Sequence, residues 1–469
     1  MSRINTNIPS LVAQRVFTLQ NMKQNESLNR LSTGLRINSG KDDPAGLIAS
    51  ENLRAEKSAL QASLTNISRA DNIVAVAEGS LDEINNLLTE LETLVDRSAN
   101  EAAISTEERN ANQLQIDSIL ESINRIANTT EFQGRKLLDG TLNYATSGVA
   151  ASALADVQVL AAKITNGGSR QVVVEVTNSA ELGRLRFSAS LTGATNVTIE
   201  VAGNLGSDTF SFGASTAITD IAAAVNDSTE LTGVVARVSS GNLFFETQEY
   251  GSSQFVSVET ISGTFNLAGG TTRDEGADAS VLINGTAAVT DGLKASVRTA
   301  AVQADIELTA ARGTNLGTST FNIRDGGANF AISPDLSLAG LVSIGLPSAT
   351  TGNLGNSVVG FVSSLATGKN NQLASGNYYQ AQQIIRGAQD TVSKLRGRLG
   401  AFQANTLETT KNSLQVTFEN LTAAESTIRD TDFATETSEL TRSQILVQSA
   451  TNTLRLANQS PQNILALLG

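Results

Sequence analysis

The stretch ENLRAEKSALQASLTNISRADNIVAVAEGSLDEINNLLTELETLVDRS, residues 51–98, decides how this chain folds. Within it Leu53, Leu60, Ile67, Val74, Leu81, Leu88 and Val95 fall seven apart without a break, and Leu64, Ile84 and Leu91 widen the stripe. A sustained seven-residue apolar repeat keeps one seam facing a partner helix over many turns. At 1.5 Å per residue, 53–95 alone spans about 63 Å. A helix that long needs a long partner, and the opposite end of the sequence offers one. There Leu407, Leu414, Leu421 and Ile428 repeat the spacing, preceded by Ile385, Ala388, Val392, Leu395, Leu399 and Phe402 at alternating three- and four-residue steps. A third helix is expected near 104–128, with Ile116, Ile119, Leu120, Ile123 and Ile126 on one side, running into a turn-rich stretch, NTTEFQGRKLLDG (128–140). The expected fold class is α+β and multidomain, with a long antiparallel helical bundle or coiled coil formed by both chain ends.

Glycine and proline set the rest apart. Of 38 glycines, residues 1–143 and 366–469 hold six each, so the intervening segment holds 26. No proline lies between Pro44 and Pro334. Short runs such as VVVEV (172–176), NVTIEV (196–201), TFSF (209–212) and NLFFE (242–246) alternate with period two between Gly, Asn and Asp. That is the signature of strands and turns. One helix is expected at Ile218–Val225, with Asp220 in its first turn. The middle is therefore read as one or two β-rich domains inserted between the halves of the bundle. The expected boundaries are 1–42 for an N-terminal inner-core helix, 43–143 and 366–428 for the two parts of a helical outer-core domain, 144–365 for the β-rich surface domains, and 429–469 for a C-terminal inner-core helix.

The outermost segments differ from the bundle. Residues 1–25 carry Arg3, Arg15 and Lys23 and no acid, and residues 443–469 carry a single charge, Arg455. Both remain amphipathic, with Ile4, Ile8 and Leu11 at one end and Leu440, Val447 and Leu454 at the other. A short, weakly charged amphipathic helix is marginal alone in water. Either each packs on the body of the protein, or both complete their burial only against neighbouring subunits.

Composition removes much chemistry. The 469 residues include 46 acids and 33 bases, a net charge of −13, and no histidine, cysteine or tryptophan. Thiol nucleophiles, disulfides, zinc–thiolate sites, imidazole ligands and Ser-His-Asp triads are excluded, and an HExxH zinc site with them. The acidic balance argues against a general nucleic-acid binder. Gly368-Lys369 lacks the glycine spacing of a phosphate loop and is followed by Asn370. Asp42 and Asp43 form a carboxylate pair without a third ligand; Asp43 before Pro44 reads as a helix cap with proline at the first helical position. Asp274, Glu275 and Asp278 are the densest acidic cluster, in a glycine-rich turn. No catalytic residue, cofactor or metal is expected. No cleavable signal and no apolar run long enough to span a membrane is visible.

The terminal segments carry a resemblance. INTNIPSLVAQRVFTLQ (4–20), SLNRLSTGLRINSGKDDPAGLIAS (27–50) and RDTDFATETSELTRSQILVQSATNTLRLANQSPQNILALLG (429–469) closely resemble bacterial flagellin. The resemblance covers about 1–143 and 366–469; residues 191–258 resemble a β-rich insertion module of flagellins and hook-associated proteins, and 281–297 resemble its continuation. The resemblance implies a structural subunit, not an enzyme, which is exported unfolded without a cleaved signal and polymerises into the extracellular flagellar filament. Its termini then fold on assembly into a coiled-coil inner core, which couples ordering entropy to binding. The alternative within the family is the hook–filament junction protein. Implied partners are copies of the chain itself, the flagellar export apparatus, an export chaperone, the filament cap and hook-associated proteins; no nucleic acid and no membrane insertion is implied.

On that resemblance Ile4, Ile8, Leu11, Leu19, Leu28 and Leu31 are expected to meet Leu440, Val447, Leu454, Leu465 and Leu468 within and between subunits, forming the polymerisation inner core. The Leu53–Val95 and Leu407–Ile428 repeats form the outer-core seam. Aligned on SAN (98–100) and TTEFQGRKLL (129–138), the positions by which flagellins engage the animal Toll-like flagellin receptor are Glu90, Leu94 and Gln115. The family has an arginine, a leucine and a glutamate there. An acid in place of the arginine implies weak receptor activation.

Overall fold

A computed structural model describes residues 6–468 except 165–167, 189–194, 336, 338, 357 and 358, with backbone alone for 325 and 460–468. Seven helices of eight residues or more appear among the described residues: α1 (Ile8–Thr33), α2 (Pro44–Ser98), α3 (Thr106–Thr129), α4 (Ile218–Asp227), α5 (Tyr378–Phe402), α6 (Thr409–Arg429) and α7 (Phe433–Leu468). A six-residue π-helical segment, Gln403–Glu408, separates α5 from α6. All strands lie between Glu131 and Phe361. Helical ends and a β-rich middle are thus the architecture that the periodicities require.

The chain divides into two compact units, 1–68 with 332–335 and 405–469, and 69–331 with 336–404. In the larger, the seam of α2 is dry: Val74, Leu81, Leu88 and Val95 are at most 2% exposed, as are Ile84 and Leu91. Ile384, Ile385, Ala388, Val392 and Leu399 of α5 are equally buried. Polar pairs fix the antiparallel register of the two helices. Asp96 accepts from Gln382, Glu92 from Arg386, Glu78 from Arg396 and Asp71 from Gln403, at 2.6–3.0 Å. The third helix, α3, turns Ile116, Ile119, Leu120 and Ile123 inward and is tied back to α2 by Asn112–Ser98 and Thr130–Ser80, both 3.0 Å. Fully burying one aliphatic side chain stabilises a fold by roughly 1.5–3 kcal/mol, so this seam dominates the helical part of the unit.

The β-rich middle has two cores. The first lies between an antiparallel five-stranded sheet, whose central strands are Arg170–Asn178 and Gly317–Gly326, and a four-stranded sheet containing Leu154–Ala162, Lys294–Arg298 and Val302–Leu308. The second is an inserted module: a three-stranded sheet (Arg184–Phe187, Asn242–Thr247, Val234–Ser239), a four-stranded sheet (Arg273–Glu275, Phe255–Ser262, Val197–Gly203, Ser207–Phe212) and α4. The expected helix at 218–225 is α4. The expected continuation of the 191–258 module into 281–297 is corrected, because Val281, Ile283, Ala295 and Val297 are buried in the first core. Their alternation fits either core, and only strand pairing with 170–178 and 302–308 assigns them.

Candidate functional site

Each end of α1 is tied to the C-terminal helix. Asn7 caps α1, its Oδ1 accepting from the Ser10 amide at 3.1 Å, while its Nδ2 donates to the Ala457 carbonyl at 2.8 Å. Ser10 donates to Asn458 at 2.6 Å. At the other end Gly34 takes the left-handed conformation, φ 72°, that closes a helix C-terminus cheaply only in glycine. The joint after it pairs with the joint between α6 and α7: Arg36 N donates to Arg429 O and Thr431 N to Gly34 O. Hence α1 and α7 form an antiparallel hairpin-like pair, and Arg30 lies between Glu26 (2.6 Å) and Glu436 (3.7 Å).

The composition of the paired faces is the central observation. Along α1 the covered positions step by three and four through Ser10, Ala13, Phe17, Gln20, Gln24, Ser27 and Leu31. Along α7 they are Glu436, Leu440, Ser443, Val447, Ala450, Leu454 and Ala457. Small and polar residues occupy the most buried places: Ala13, Ser27, Ser443 and Ala450 are 1–6% exposed. Several polar atoms there, Gln20 Oε1, Arg30 Nε, Glu436 Oε1 and Ser443 Oγ, have no protein hydrogen-bond partner. Each such atom costs about 1–3 kcal/mol if it also lacks water.

Many of the large apolar residues stay exposed. Ile8, Leu11, Val12, Val16, Leu19, Met22 and Leu28 are 40–58% exposed on α1, and Phe433, Ile445, Leu446 and Leu456 are 41–69% exposed on α7. Ile8, Val12 and Val16 border an apolar groove of about 560 Å³ with Leu446, Ala450 and Thr453. Exposed apolar side chains bordering a groove are the kind of surface that interaction sites present.

The expected inner-core residues therefore separate. Leu31, Leu440, Val447 and Leu454 are half-buried within the pair, whereas Ile8, Leu11, Leu19 and Leu28 face outward. Ile4 and the side chains of Leu465 and Leu468 lie outside the described residues. Sequence reasoning passed over Ala13, Gln20, Ser27 and Ser443, since no apolar signal marks them; their three–four spacing was the available clue. Of the outer-core seam, Leu60, Ile67, Val74, Leu81, Leu88, Val95 and Leu407 are buried, and Leu53, Leu414, Leu421 and Ile428 half-buried.

The joint before α2 is built from polar contacts. Asp43 Oδ1 accepts from Gly46 N at 2.9 Å, the cap that Asp43-Pro44 predicts. Asp42 Oδ2 accepts from the backbone N–H of Ser39 and Asn38 and from the Ser39 hydroxyl, which holds its carboxyl below the ordinary range. Asp432 is lowered likewise by the Thr435 hydroxyl and the Thr435 and Ala434 amides. Glu51 is lowered by hydrogen bonds from Arg54 and Arg429. In a Cβ-bearing residue at 46, the new atom would lie 2.5 Å from Asp43 Oδ2 and 2.6 Å from the fully buried Ile37, so glycine keeps the cap closed.

The receptor-equivalent positions do not share one surface. Glu90 and Gln115 are exposed, but Leu94 is 4% exposed and belongs to the seam. In the acidic cluster, Asp278 accepts from Ser252 and Gly292, Glu275 pairs with Arg273, and Asp274 accepts from the Arg184 amide, so all three carboxylates serve the loops around them. Among the described residues no group of three or more His, Cys, Asp or Glu could hold a metal ion, and no helix is long and apolar enough to cross a membrane.

Comparison with known proteins agrees with the terminal motifs. A model of the bacterial flagellin N-terminal helical region matches residues 4–143, and one of the C-terminal helical region matches 382–468. Flagellin C of Vibrio cholerae is 30% identical over 466 residues, and polar flagellin F of Vibrio parahaemolyticus 29% identical over 466; each alignment covers 99% of both chains. The B-type flagellin of Pseudomonas aeruginosa is 28% identical over 523 aligned positions, again with 99% of both chains covered.

Proposed function

The chain belongs to the bacterial flagellin family, the structural proteins of the flagellar filament, and from that premise we propose that the outward apolar faces of α1 and α7 are its polymerisation surface. The observation that carries this is the distribution of apolar side chains: the most buried positions of the pair include the small or polar Ala13, Ser27, Ser443 and Ala450, while Ile8, Leu11, Val12, Val16, Leu19 and Leu28 stay exposed. In an isolated subunit that arrangement is weak, because Phe17, Leu31, Leu440, Val447 and Leu454 are only half-buried by the pair while polar atoms without partners oppose it. A neighbouring copy reverses the balance by covering the exposed stripe. Folding and assembly of the ends are then one equilibrium, with Ile4, Leu465 and Leu468 belonging to the same inner core. Contacts of this type are heterologous and propagate as an open helix.

The expected domain limits follow the same division, with 1–42 and 429–469 as inner core and the α2–α3–α5 seam as outer core. Assembly on the outside of the cell, passage through the flagellar export apparatus with a chaperone, and contact with cap and hook-associated proteins are the partners and location that this role requires. The absence of cysteine suits a chain threaded unfolded through a narrow channel.

Seeded polymerisation tests the proposal. Full-length chain should elongate filament seeds in ammonium sulfate, seen by electron microscopy, and a chain ending at residue 442 should stay folded and monomeric. Normal filaments from the truncated chain would overturn it.

A further inference from the structure

The inserted module spanning 183–275 contains four arginines, no lysine and ten acids. Three of the four cations nevertheless meet on one surface, the outer face of its three-stranded sheet. Strand alternation turns Leu185, Phe187, Leu243, Phe245, Val234 and Ala236 into the core, and puts Arg184, Arg186, Phe244 and Arg237 outside. Register aligns them: Arg186 lies directly across from Phe244, and Phe244 directly across from Arg237. The Arg184 guanidinium sits 4.9 Å from the Phe244 ring centroid and is held by Glu246 at 2.6 Å. Glu246 is 3% exposed, so its charge is spent on Arg184. Arg186 and Arg237 are exposed and make no ion pair among the described residues. On the other sheet of the module Glu200 lies across from Glu259, and at the edge of this face Asp274 accepts from the Arg184 amide.

An aromatic ring flanked on both sides by unpaired guanidinium groups is a surface for an anion that also has a flat apolar face. Directly opposed residues on adjacent strands have Cβ atoms about 5 Å apart, which puts Arg186 and Arg237 roughly 10 Å apart across the ring. We propose that this sheet face binds an acidic polysaccharide, with the Phe244–Arg184 stack receiving one sugar ring and Arg186 and Arg237 each donating to a sulfate or carboxylate on the units either side of it. Guanidinium forks suit such oxyanions, and the C–H face of a sugar packs on an aromatic ring as other apolar surfaces do. The patch is three strands wide on a module of net negative charge. A stiff polyanion such as duplex DNA, charged at every step, would meet the surrounding acids, whereas a short run of spaced anionic groups would not. A filament repeats the patch on every subunit, so a modest single-site affinity becomes a large avidity.

The test is binding of fluorescent heparin hexasaccharide to the full chain, kept monomeric, with a polygalacturonate oligomer as the carboxylate-only probe. Arg186→Gln with Arg237→Gln should weaken binding roughly a hundredfold, about tenfold for each charge-assisted contact removed. The log–log salt dependence should also lose about two units of slope. Phe244→Ala should weaken binding with the salt slope unchanged, and Arg125→Gln with Arg135→Gln, exposed elsewhere, should change nothing. Preference for heparin over polygalacturonate would assign the anionic groups as sulfates, and the reverse as carboxylates. The proposal fails if the wild-type chain binds neither probe at low salt, if the control pair weakens binding as much, or if a 12-base-pair DNA duplex binds as tightly as the better polysaccharide. It also fails if the face proves to be a self-association surface, seen as a dimer lost on Arg186→Gln with Arg237→Gln and unaffected by either polysaccharide.

Discussion

Asn7 donates its side-chain N–H to the carbonyl of Ala457, 450 residues later in the sequence, at 2.8 Å. That one bond ties the start of α1 to the last turns of α7. It also places the two terminal segments in one element, so that a change at either end is a change to the same surface.

Leu11→Asp and Leu19→Asp place charge on the outward stripe of α1, where both leucines are more than half exposed. Thermal unfolding of the subunit should stay within about 0.5 kcal/mol of wild type, as for surface changes generally. Elongation of filament seeds, followed by light scattering, should be abolished. Loss of subunit stability with normal elongation would assign these leucines to the fold and not to assembly.

Leu88→Ala acts on the opposite kind of site. Leu88 is fully buried in the α2 seam, so truncation leaves a cavity and should cost about 2–5 kcal/mol in denaturant unfolding of the subunit. Seeded growth at a temperature where the variant remains folded should proceed, since the outward faces of α1 and α7 are untouched.

Acid should loosen the joints beside the inner core before it unfolds the rest. The carboxyls of Asp42 and Asp432 are held below their ordinary range by N–H and hydroxyl donors, and Glu51 by arginines. A lowered folded-state value means that the contribution is fully present above the ordinary carboxylate value and is lost as pH falls through the lowered one. Helicity followed by circular dichroism should therefore be level down to about pH 4 and fall below it. Asp42→Asn with Asp432→Asn should be less stable at pH 7 and show a shallower fall below pH 4. An identical acid limb in the variant would remove these residues from the effect.

On the resemblance to flagellins, Glu90 stands where the receptor-binding pattern of the family has an arginine. With Leu94 in the seam, Glu90 and Gln115 are the exposed members of that set. A reporter cell bearing the Toll-like flagellin receptor should respond weakly to the wild-type chain and more strongly to Glu90→Arg, because a like-charge contact is replaced by a complementary one. Equal potency of the two chains would refute this.

Much of the bundle is legible in the heptads. Leu81 and Leu88 announce their burial because every seventh position of a 55-residue helix repeats the same demand. The α1 face was not legible in the same way. Ser10, Ala13, Gln20 and Ser27 carry no hydrophobic signal, so the eye goes to Leu11, Leu19 and Leu28, which the fold leaves outside. Leu94 shows the same limit from the other side, since a leucine suited to a partner and a leucine suited to the core look alike. The residues 281–297 alternate as strands must, but alternation does not name the sheet.

The sequence by itself determined the helical ends, the β-rich middle and the family, because periodicity and the terminal motifs are local properties that survive without a partner. Tertiary structure alone decided which stripe of α1 meets α7, which core each middle strand joins, and that Arg186, Phe244 and Arg237 form one row. Each of those depends on register between segments far apart in the chain, and register is fixed by the partner strand or helix, not by the residues that it aligns.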